Sequence, residues 1–514
     1  MLPANLLGRT RLCSRCLPTP SKRFASSSPR PASIPHPVLD LSAVLNAPEA
    51  VKTNLRQRKY PLDPNQVDAL RQMELEAAQL RKDLQAARER RNAVSLAPKD
   101  DVEARKAASE VKKLIKQIEP KLSALTKEIQ SIALQLPNMS HPDVPVGDET
   151  NARLVRRLGS TTTTTAAAAE EDAPAAEPER DHLALSSASN LAWTDFPASS
   201  ITTGSSWPLL LNEGALLEMA LTNYAMSVAL SHGFTPTLTP DVVRSDVSER
   251  CGFRPRDGEA QQTYFLSDGE STSALCLAGT AEIPLVAMSA GQTFRADQLP
   301  LKHVALGRAF RAEAGARGAD SRGLYRVHQF SKVEMVILCA EEQSDAILEE
   351  LRAIQEEILG ALGLSLRVLD MPTEELGASA HRKYDIEVWM PGRGKWGELS
   401  SASNCTDFQS RRLGIRYRPS HAPSSAETSA ESSTSAAAVR SSGPKLAFVH
   451  TLNGTAAAIP RLIVALLENG AVIDADTGRV DRVRLPACLK PFWLGRGTDT
   501  KIEWVPTGES LRLP

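Results

Sequence analysis

One stretch of the chain pairs an arginine with a carboxylate at a spacing that suits nucleotide binding. Arg311 and Glu313 lie two residues apart on a predicted strand, so we expect their side chains to point to the same face. A guanidinium can bind a phosphate through two hydrogen bonds, and a nearby carboxylate can accept one from an exocyclic amine. Taken alone, the pair is a weak indication, because a surface ion pair has the same spacing.

The pair belongs to a longer ordered string. Gly307–Gly315 is followed by a glycine-containing stretch and then by Gly323–Glu334, which predicts a strand, a loop and a second strand. A P-loop nucleotide site is disfavoured, because the sequence GxxxxGK[ST] is absent. No cysteine and histidine form a convincing nucleophile and base, so the chemistry is expected to proceed by positioning and charge stabilisation.

The elements around these residues predict an α+β fold. Leu216–Leu230 and Ile459–Leu467 have helical periodicity, whereas Tyr384–Met390 alternates apolar and charged residues as a strand does. Strands without regular βαβ alternation favour an antiparallel sheet with flanking helices. We therefore predict this architecture for the body of the protein, from about residue 183 to residue 514.

Upstream of the body, two heptad patterns predict an antiparallel coiled-coil arm over residues 38–150. The patterns run from Val67 to Val94 and from Val111 to Leu136, with a break at Leu96–Asp100. About 30 to 35 residues per helix give an arm on the order of 50 Å long. Nine basic residues near its tip face five acidic ones, Glu89, Asp100, Asp101, Glu103 and Glu110; the basic set is Arg88, Arg90, Arg91, Lys99, Arg105, Lys106, Lys112, Lys113 and Lys116. This local excess of four positive charges suits a phosphate backbone, and it equally suits a solvated coiled-coil surface.

Composition limits the remaining possibilities. The 514 residues carry 60 Lys and Arg against 61 Asp and Glu, which excludes a purely electrostatic nucleic-acid binder. No run reaches the roughly 18 apolar residues of a membrane-spanning helix, so no membrane association is expected. The seven cysteines are too scattered for a disulfide framework.

Three segments differ from the rest. Residues 1–33 are basic and lack acidic residues, which predicts a mitochondrial targeting segment, although an accidentally basic terminus is the alternative. Residues 160–178 and 419–444 are of low complexity, so we predict a linker and a disordered insertion into the body.

The whole chain from about Val38, apart from these insertions, resembles seryl-tRNA synthetase, a class II aminoacyl-tRNA synthetase. The body strings that carry the resemblance are His232–Val243, Gly279–Glu282, Phe310–Glu334, Glu398–Ser401 and Leu452–Leu462. Pro137–Gly147 resembles the family's junction after the arm. Two departures, Thr455 where many members have Ser and Pro460 where many have Gly, also occur within the family.

The resemblance implies a site for ATP. Arg311 would bind the α-phosphate and the serine carboxylate, and Glu313 would accept from the adenine amino group. Phe330 and Arg461 would lie on opposite faces of adenine, with Arg461 also reaching the γ-phosphate. Glu398 and Ser401 would bind Mg²⁺ or the α-phosphate. The implied ATP-binding set is Arg311, Glu313, Arg326, Val327, His328, Gln329, Phe330, Glu398, Leu399, Ser400, Ser401 and Arg461, of which Arg311, Glu398 and Arg461 are the catalytic candidates. The ring of His328 is expected to be structural.

The resemblance also implies a serine pocket and macromolecular partners. Thr280, Ala281 and Glu282 would bind the serine amino group, Arg311 its carboxylate, and Glu334 with Thr455 its hydroxyl. Alanine would be rejected because buried acceptors would stay unpaired. The implied activity is serine–tRNA ligation in the mitochondrial matrix, by a homodimer whose arm binds tRNA(Ser). The alternatives are a non-catalytic RNA-binding paralogue and a ligase that loads a carrier protein.

Overall fold

The computed structural model of the protein describes residues 33–95, 102–159, 175–253, 262–266, 274–313, 323–419, 446–495 and 501–512. Nearly all of the predicted targeting segment and most of both low-complexity segments lie outside these ranges. Within them, no helix combines the length and the apolar character needed to cross a membrane.

The α-helices of the described residues are, in chain order, α1 (Ser42–Asn46), α2 (Pro48–Gln57), α3 (Asn65–Ser95), α4 (Val102–Ala133), α5 (His182–Ser186), α6 (Phe196–Thr202), α7 (Asn212–Ser231), α8 (Ser245–Arg250), α9 (Glu282–Ala287), α10 (Ser344–Gly360), α11 (Phe408–Leu413) and α12 (Ile459–Gly470). The strands are β1 (Arg153–Leu158), β2 (Thr235–Pro236), β3 (Val242–Arg244), β4 (Phe265–Leu266), β5 (Leu275–Leu277), β6 (Thr293–Arg295), β7 (Leu301–Phe310), β8 (Gln329–Cys339), β9 (Leu366–Asp370), β10 (Arg382–Met390), β11 (Lys395–Asn404), β12 (Arg416–Arg418), β13 (Ala447–Phe448), β14 (His450–Ala458), β15 (Ala471–Ile473), β16 (Val480–Pro486) and β17 (Ile502–Val505).

Helices α3 and α4 form the predicted arm. They are 31 and 32 residues long and pack on each other, which confirms the heptad interpretation. Leu70, Ala77 and Leu84 from the first seam are buried, as are Ile115 and Ile129 from the second. Since apolar residues at this spacing lie along one stripe of each helix, the stripe can be buried only between the two helices.

The arm is fixed to the body at its root by buried polar contacts. The Asn138 side chain donates to the carbonyls of Ser379 and Cys405, at 2.9 Å each. The buried Arg58, directly after α2, donates to the Ala380 carbonyl at 2.6 Å. Because these donors and acceptors are buried, each lost contact would leave a polar group without water to replace its partner.

The body is built on an eight-stranded sheet in the order β1-β9-β10-β11-β14-β8-β7-β2. Every neighbouring pair is antiparallel except β2 with β7, as predicted for the fold class. Strand β1, at one edge, and residues 175–182 also pack on the body, so the body begins earlier than the predicted residue 183. Three of the six residues of β1 are arginines, so the sequence does not show the alternation of apolar and polar residues that predicts a strand.

The two faces of the sheet differ in character because side chains alternate along a strand. Val333, Met335, Ile386 and Leu399 join α7, α10 and α12 in the largest apolar core. The acidic and hydroxyl side chains of the candidate site point to the other face; they are Glu334, Asp385, Glu387, Glu398, Ser401 and Thr455. Ser401 reaches this face because Leu399 is an extra residue that forms a bulge on β11.

One glycine-rich segment has the spacing of a nucleotide-binding motif but not its structure. Gly392–Gly397 has the spacing GxGxxG, but it lies in the hairpin between β10 and β11 instead of leading from a strand into a helix, so it is not a dinucleotide-binding loop.

The insertion at 419–444 is flanked by two paired strands. Strands β12 and β13 pair with each other antiparallel through Arg416 with Phe448 and Tyr417 with Ala447.

Candidate functional site

A cleft of about 600 Å³ opens on the polar face of the sheet. It is lined by many of the residues that the sequence singled out for ATP, together with two of those expected for serine. The lining residues are Arg311, Glu313, Leu324, Tyr325, Arg326, Val327, Phe330, Lys332, Glu398, Leu399, Ser401, Thr455, Ala458, Pro460 and Arg461.

Arg311 and Glu313 do not lie on a strand, contrary to the prediction. Strand β7 pairs with β8 up to Phe310, and the chain then turns away, with Glu313 in a left-handed conformation at a φ of 48°. Such a backbone is uncommon outside glycine and is concentrated at functional sites. The turn, and not strand alternation, brings both side chains to the cleft.

In the free protein, Glu313 pairs with an arginine, whereas Arg311 contacts an aromatic ring and a backbone carbonyl. The Glu313 carboxylate accepts from Arg326 at 2.6 Å. The guanidinium of Arg311 lies 5.3 Å from the centre of the Phe330 ring, and its Nε donates to the Gly279 carbonyl at 3.4 Å. Burial, followed by the charge of Arg461, lowers the pKa of Arg311.

Arg461 and Glu398 meet across the cleft. Arg461 lies in the first turn of α12, where Pro460 suits the start of the helix. Its Nη1 donates to the Glu398 carbonyl at 2.9 Å and lies 3.4 Å from the carboxylate, while its Nε donates to the Tyr325 carbonyl at 3.3 Å. These bonds fix the direction of a side chain that is still 34 % exposed to the cleft.

The charge of Glu398 is secured by its cationic neighbours. Burial raises the pKa of this carboxyl, but Lys383, Arg461 and Arg311 together outweigh burial and hold the pKa below its usual range. The neighbouring Asp385 shows the opposite direction, because burial raises its pKa more than Lys383 lowers it. Glu398 therefore stays ionised across the neutral range.

Glu334 and Thr455 are also brought together, on the paired strands β8 and β14. The Thr455 hydroxyl lies 3.4 Å from the Glu334 carboxylate, which is 2 % exposed. Lys332 donates to the same carboxylate oxygen at 2.5 Å. The result is a buried group of one base, one acid and one hydroxyl, of which Lys332 and Thr455 line the cleft.

Thr280 and Glu282 lie apart from the ATP-lining residues, beside a second cavity bounded by Tyr60 of the arm root. Glu282 begins α9, and its carboxylate accepts from Gln409 at 2.6 Å. Burial and then the charge of Glu334 raise the pKa of Glu282 to about 7. Ala281 is buried next to Gly307.

Some predicted ATP residues have side chains engaged elsewhere. The His328 ring stacks on Trp207 at 5.4 Å and contacts the Tyr264 hydroxyl at 2.9 Å, in agreement with a structural role. The Ser400 hydroxyl donates to the Thr455 carbonyl. Gln329 lines a groove on α7. Their backbone, not their side chains, can take part in the site.

Sequence reasoning missed Lys332 and Gln409. Lys332 lies two residues before Glu334 on the same strand, so alternation could have placed it on the same face. Gln409 is separated from Glu282 by 127 residues, and no local pattern connects them.

Comparison with known proteins agrees with this geometry. Residues 38–140 match the family Seryl-tRNA synthetase N-terminal domain, and residues 264–427 match the family tRNA synthetase class II core domain (G, H, P, S and T).

Individual relatives agree over most of the chain. A serine–tRNA ligase of Treponema denticola is 38 % identical over 462 residues, covering 88 % of this chain and 98 % of the relative. A mitochondrial serine–tRNA ligase of Mus musculus is 37 % identical over 480 residues, covering 90 % and 84 %. The crystal structure of seryl-tRNA synthetase from Pyrococcus horikoshii complexed with ATP superposes with a TM-score of 0.73 at 31 % identity, covering 88 % and 97 %. The chain therefore belongs to the seryl-tRNA synthetase family, the serine–tRNA ligases among the class II aminoacyl-tRNA synthetases.

Proposed function

We propose that the protein activates L-serine with ATP and transfers the seryl group to the 3′ end of tRNA(Ser) in the mitochondrial matrix. One observation carries the proposal: Arg311, Arg461 and the ionised Glu398 line the same cleft as Lys332 and Thr455, and these two contact the buried Glu334. Cationic groups for a triphosphate thus adjoin polar groups for a small amino acid.

In the first step, a serine carboxylate oxygen attacks the α-phosphorus of ATP. A new P–O bond forms, the bond to the β-phosphate oxygen breaks, and pyrophosphate leaves with the electron pair. Arg311 neutralises charge that builds on the α-phosphoryl oxygens, and Arg461 holds the γ-phosphate. In the second step, a ribose hydroxyl of the terminal adenosine attacks the seryl carbonyl carbon, and AMP leaves.

The remaining cleft residues suit adenosine and a hard cation. Glu313, which Arg326 already orients, accepts from the adenine amino group, and the Phe330 ring packs on the base. Glu398 and Ser401 supply hard oxygen donors suited to Mg²⁺, whose charge would offset that of the phosphates. The described residues contain no group of three His, Cys, Asp or Glu side chains able to hold a metal.

The test of this proposal is serine-dependent ATP–pyrophosphate exchange by the chain without its first 33 residues. Exchange with serine and not with glycine, alanine or threonine is expected. A folded protein that gives no exchange with any of them would favour the RNA-binding paralogue.

Glu282 predicts a pH dependence of serine binding. Since its pKa is raised to about 7, this carboxyl is largely protonated below that pH in the free protein. The serine ammonium group favours the ionised form, so binding at pH 6 should release a proton, and the KM for serine should rise up to about tenfold per pH unit below 7. Calorimetry of serine binding in buffers of different ionisation enthalpy measures the released proton.

The control for that experiment is Glu282→Gln, which removes the titrating group and should abolish proton release. A proton count near zero at pH 6 in the unmodified protein would contradict the assignment of Glu282 to the ammonium group.

The arm is proposed to bind tRNA through its phosphates. Lys112, Lys113 and Lys116 are exposed on α4, and neutral substitution of all three to Gln should weaken tRNA(Ser) binding and flatten its dependence on salt. We expect the KM for tRNA in aminoacylation to rise about tenfold at 150 mM salt, whereas pyrophosphate exchange should be unchanged because the cleft is intact. Equal losses in both assays would argue against an arm that acts only on tRNA.

A homodimer is proposed from the apolar surface around α7. Met219 and Leu230 on this helix are 47 % and 39 % exposed, and Leu238 beyond it is 92 % exposed. A groove beside the helix is lined by Leu209, Met219 and Leu306. Apolar exposure of this kind marks interaction surfaces. Sedimentation should give twice the 55.5 kDa of the chain, and a monomer would refute the dimer.

The mitochondrial location is proposed from the composition of residues 1–33 and is consistent with mitochondrial relatives such as the one from Mus musculus. Import of a reporter fused to these residues into isolated mitochondria tests it, with the six basic residues changed to Gln as the control.

A further inference from the structure

A buried carboxyl group that the proposed reaction does not use lies behind the cleft. Glu468, in the last turns of α12, is fully buried. Its Oε1 accepts from the Tyr325 hydroxyl at 2.9 Å and contacts the His182 Nδ1 at 3.2 Å, and its Oε2 accepts from the Gly392 backbone N–H at 2.9 Å. One side chain thus ties together α12, the start of α5, the turn at Leu324–Arg326 and the hairpin before β11.

The hydrogen bonds fix the tautomer of His182. The Leu324 backbone N–H donates to His182 Nε2 at 3.1 Å, so this nitrogen carries no proton. Nδ1 must then carry it and donate to Glu468. The histidine transmits the position of Glu468 to the backbone of the turn.

At two glycines the backbone lies so close to the residues of this network that no side chain would fit. A Cβ at Gly323, whose φ is 68°, would lie 2.1 Å from His182 Nε2, and a Cβ at Gly392 would lie 2.7 Å from the Asp181 Cα. Both turns that contact the network therefore require glycine, since any side chain would push the hydrogen-bonded groups apart.

The network reaches the cleft through Tyr325. Its hydroxyl is bound to Glu468, its ring lies 4.0 Å from the Arg393 guanidinium, and its carbonyl accepts from Arg461 Nε at 3.3 Å. The next residue, Arg326, holds Glu313. Displacement of Tyr325 would therefore change the orientation of Arg461, which is assigned to the γ-phosphate, and of Glu313, which is assigned to adenine.

We propose that His182, Tyr325 and Glu468 are positioning residues for ATP, which act by holding the Leu324–Arg326 turn against Arg461. The inference rests on the proposed function for the identity of the nucleotide. It places the effect on ATP and not on serine, because the network leads to Arg461 and, through Arg326, to Glu313, both of which are assigned to ATP.

The test compares two matched tyrosines in the full chain. Tyr325→Phe removes only the hydroxyl that donates to Glu468. Tyr384→Phe removes a partly buried hydrogen bond, from Tyr384 to Glu349 at 2.8 Å, at a ring that also packs on arginines but does not line the cleft. Both variants should lower the Tm, and Tyr325→Phe should lower it more because its bond is fully buried.

Only Tyr325→Phe should weaken ATP binding, by about tenfold in the Kd from calorimetry and in the KM for ATP, with the KM for serine within about twofold of the unmodified value. Glu468→Gln, which replaces one acceptor oxygen by a donor, should have the same selective effect. Unchanged ATP affinity in both variants, or equal losses in Tyr384→Phe, would overturn the positioning role. A chain that binds ATP without activating serine would contradict the proposed reaction, while its ATP affinities would still decide this inference.

Discussion

Arg311→Ala should lower serine-dependent pyrophosphate exchange by about 10³-fold. In the proposed reaction the guanidinium, which lines the cleft, would face the α-phosphoryl group where negative charge develops. Because the interaction strengthens as charge develops, most of the loss should appear in kcat. Steady-state exchange kinetics at saturating and subsaturating ATP separate the two parameters.

Two further variants serve as controls for Arg311→Ala. Arg311→Lys keeps the charge but not the planar fork, so an intermediate loss is expected. Arg295→Ala removes an exposed guanidinium that pairs with Asp297, away from the cleft, and should leave exchange unchanged. A loss of less than tenfold in Arg311→Ala would remove the residue from the catalytic set.

Glu398→Gln should lower kcat by about 10² to 10³-fold and raise the Mg²⁺ concentration needed for half-maximal exchange. The substitution keeps the size of the side chain and removes a charge that Lys383, Arg461 and Arg311 surround. Since these cations hold the pKa of Glu398 below its usual range, protonation of this residue should not limit activity above about pH 5.

A titration of Mg²⁺ at fixed ATP measures the second effect. Glu503→Gln, a change at an exposed pair with Arg482 in the C-terminal sheet, is the control for the loss of one acidic group. A fall in kcat without any change in Mg²⁺ dependence would assign Glu398 to Arg461 and the α-phosphate instead of to the metal.

The elements that could be predicted are those with a regular period. The heptads of α3 and α4 are local patterns, and burial in the structure follows them. The alternation of β10 correctly predicts a strand, although Tyr384–Met390 is buried on both faces. Alternation alone would place Glu398 and Ser401, three residues apart, on opposite faces; an extra residue on β11, Leu399, forms a bulge that brings both to the polar face, and no pattern in the sequence indicates it.

The parts that escaped prediction depend on where the chain turns and on contacts distant in sequence. The end of β7 at Phe310 is set by its pairing with Gln329, and the left-handed Glu313 follows from that turn, so strand spacing could not place Arg311. Gln409 reaches Glu282, and Glu468 reaches His182 across 286 residues. Only the folded sheet brings these partners together.

The pairing of β12 with β13 determines what the stretch between them can tolerate. Because Arg416 and Phe448 are held side by side, the ends of the intervening chain are already joined by the sheet whatever its length. Closing a longer loop costs only about 0.6 kcal/mol for each doubling of its length. This hairpin is therefore a natural place for lineages to gain or lose sequence, and for an affinity tag or a fluorescent reporter to be inserted without altering the cleft.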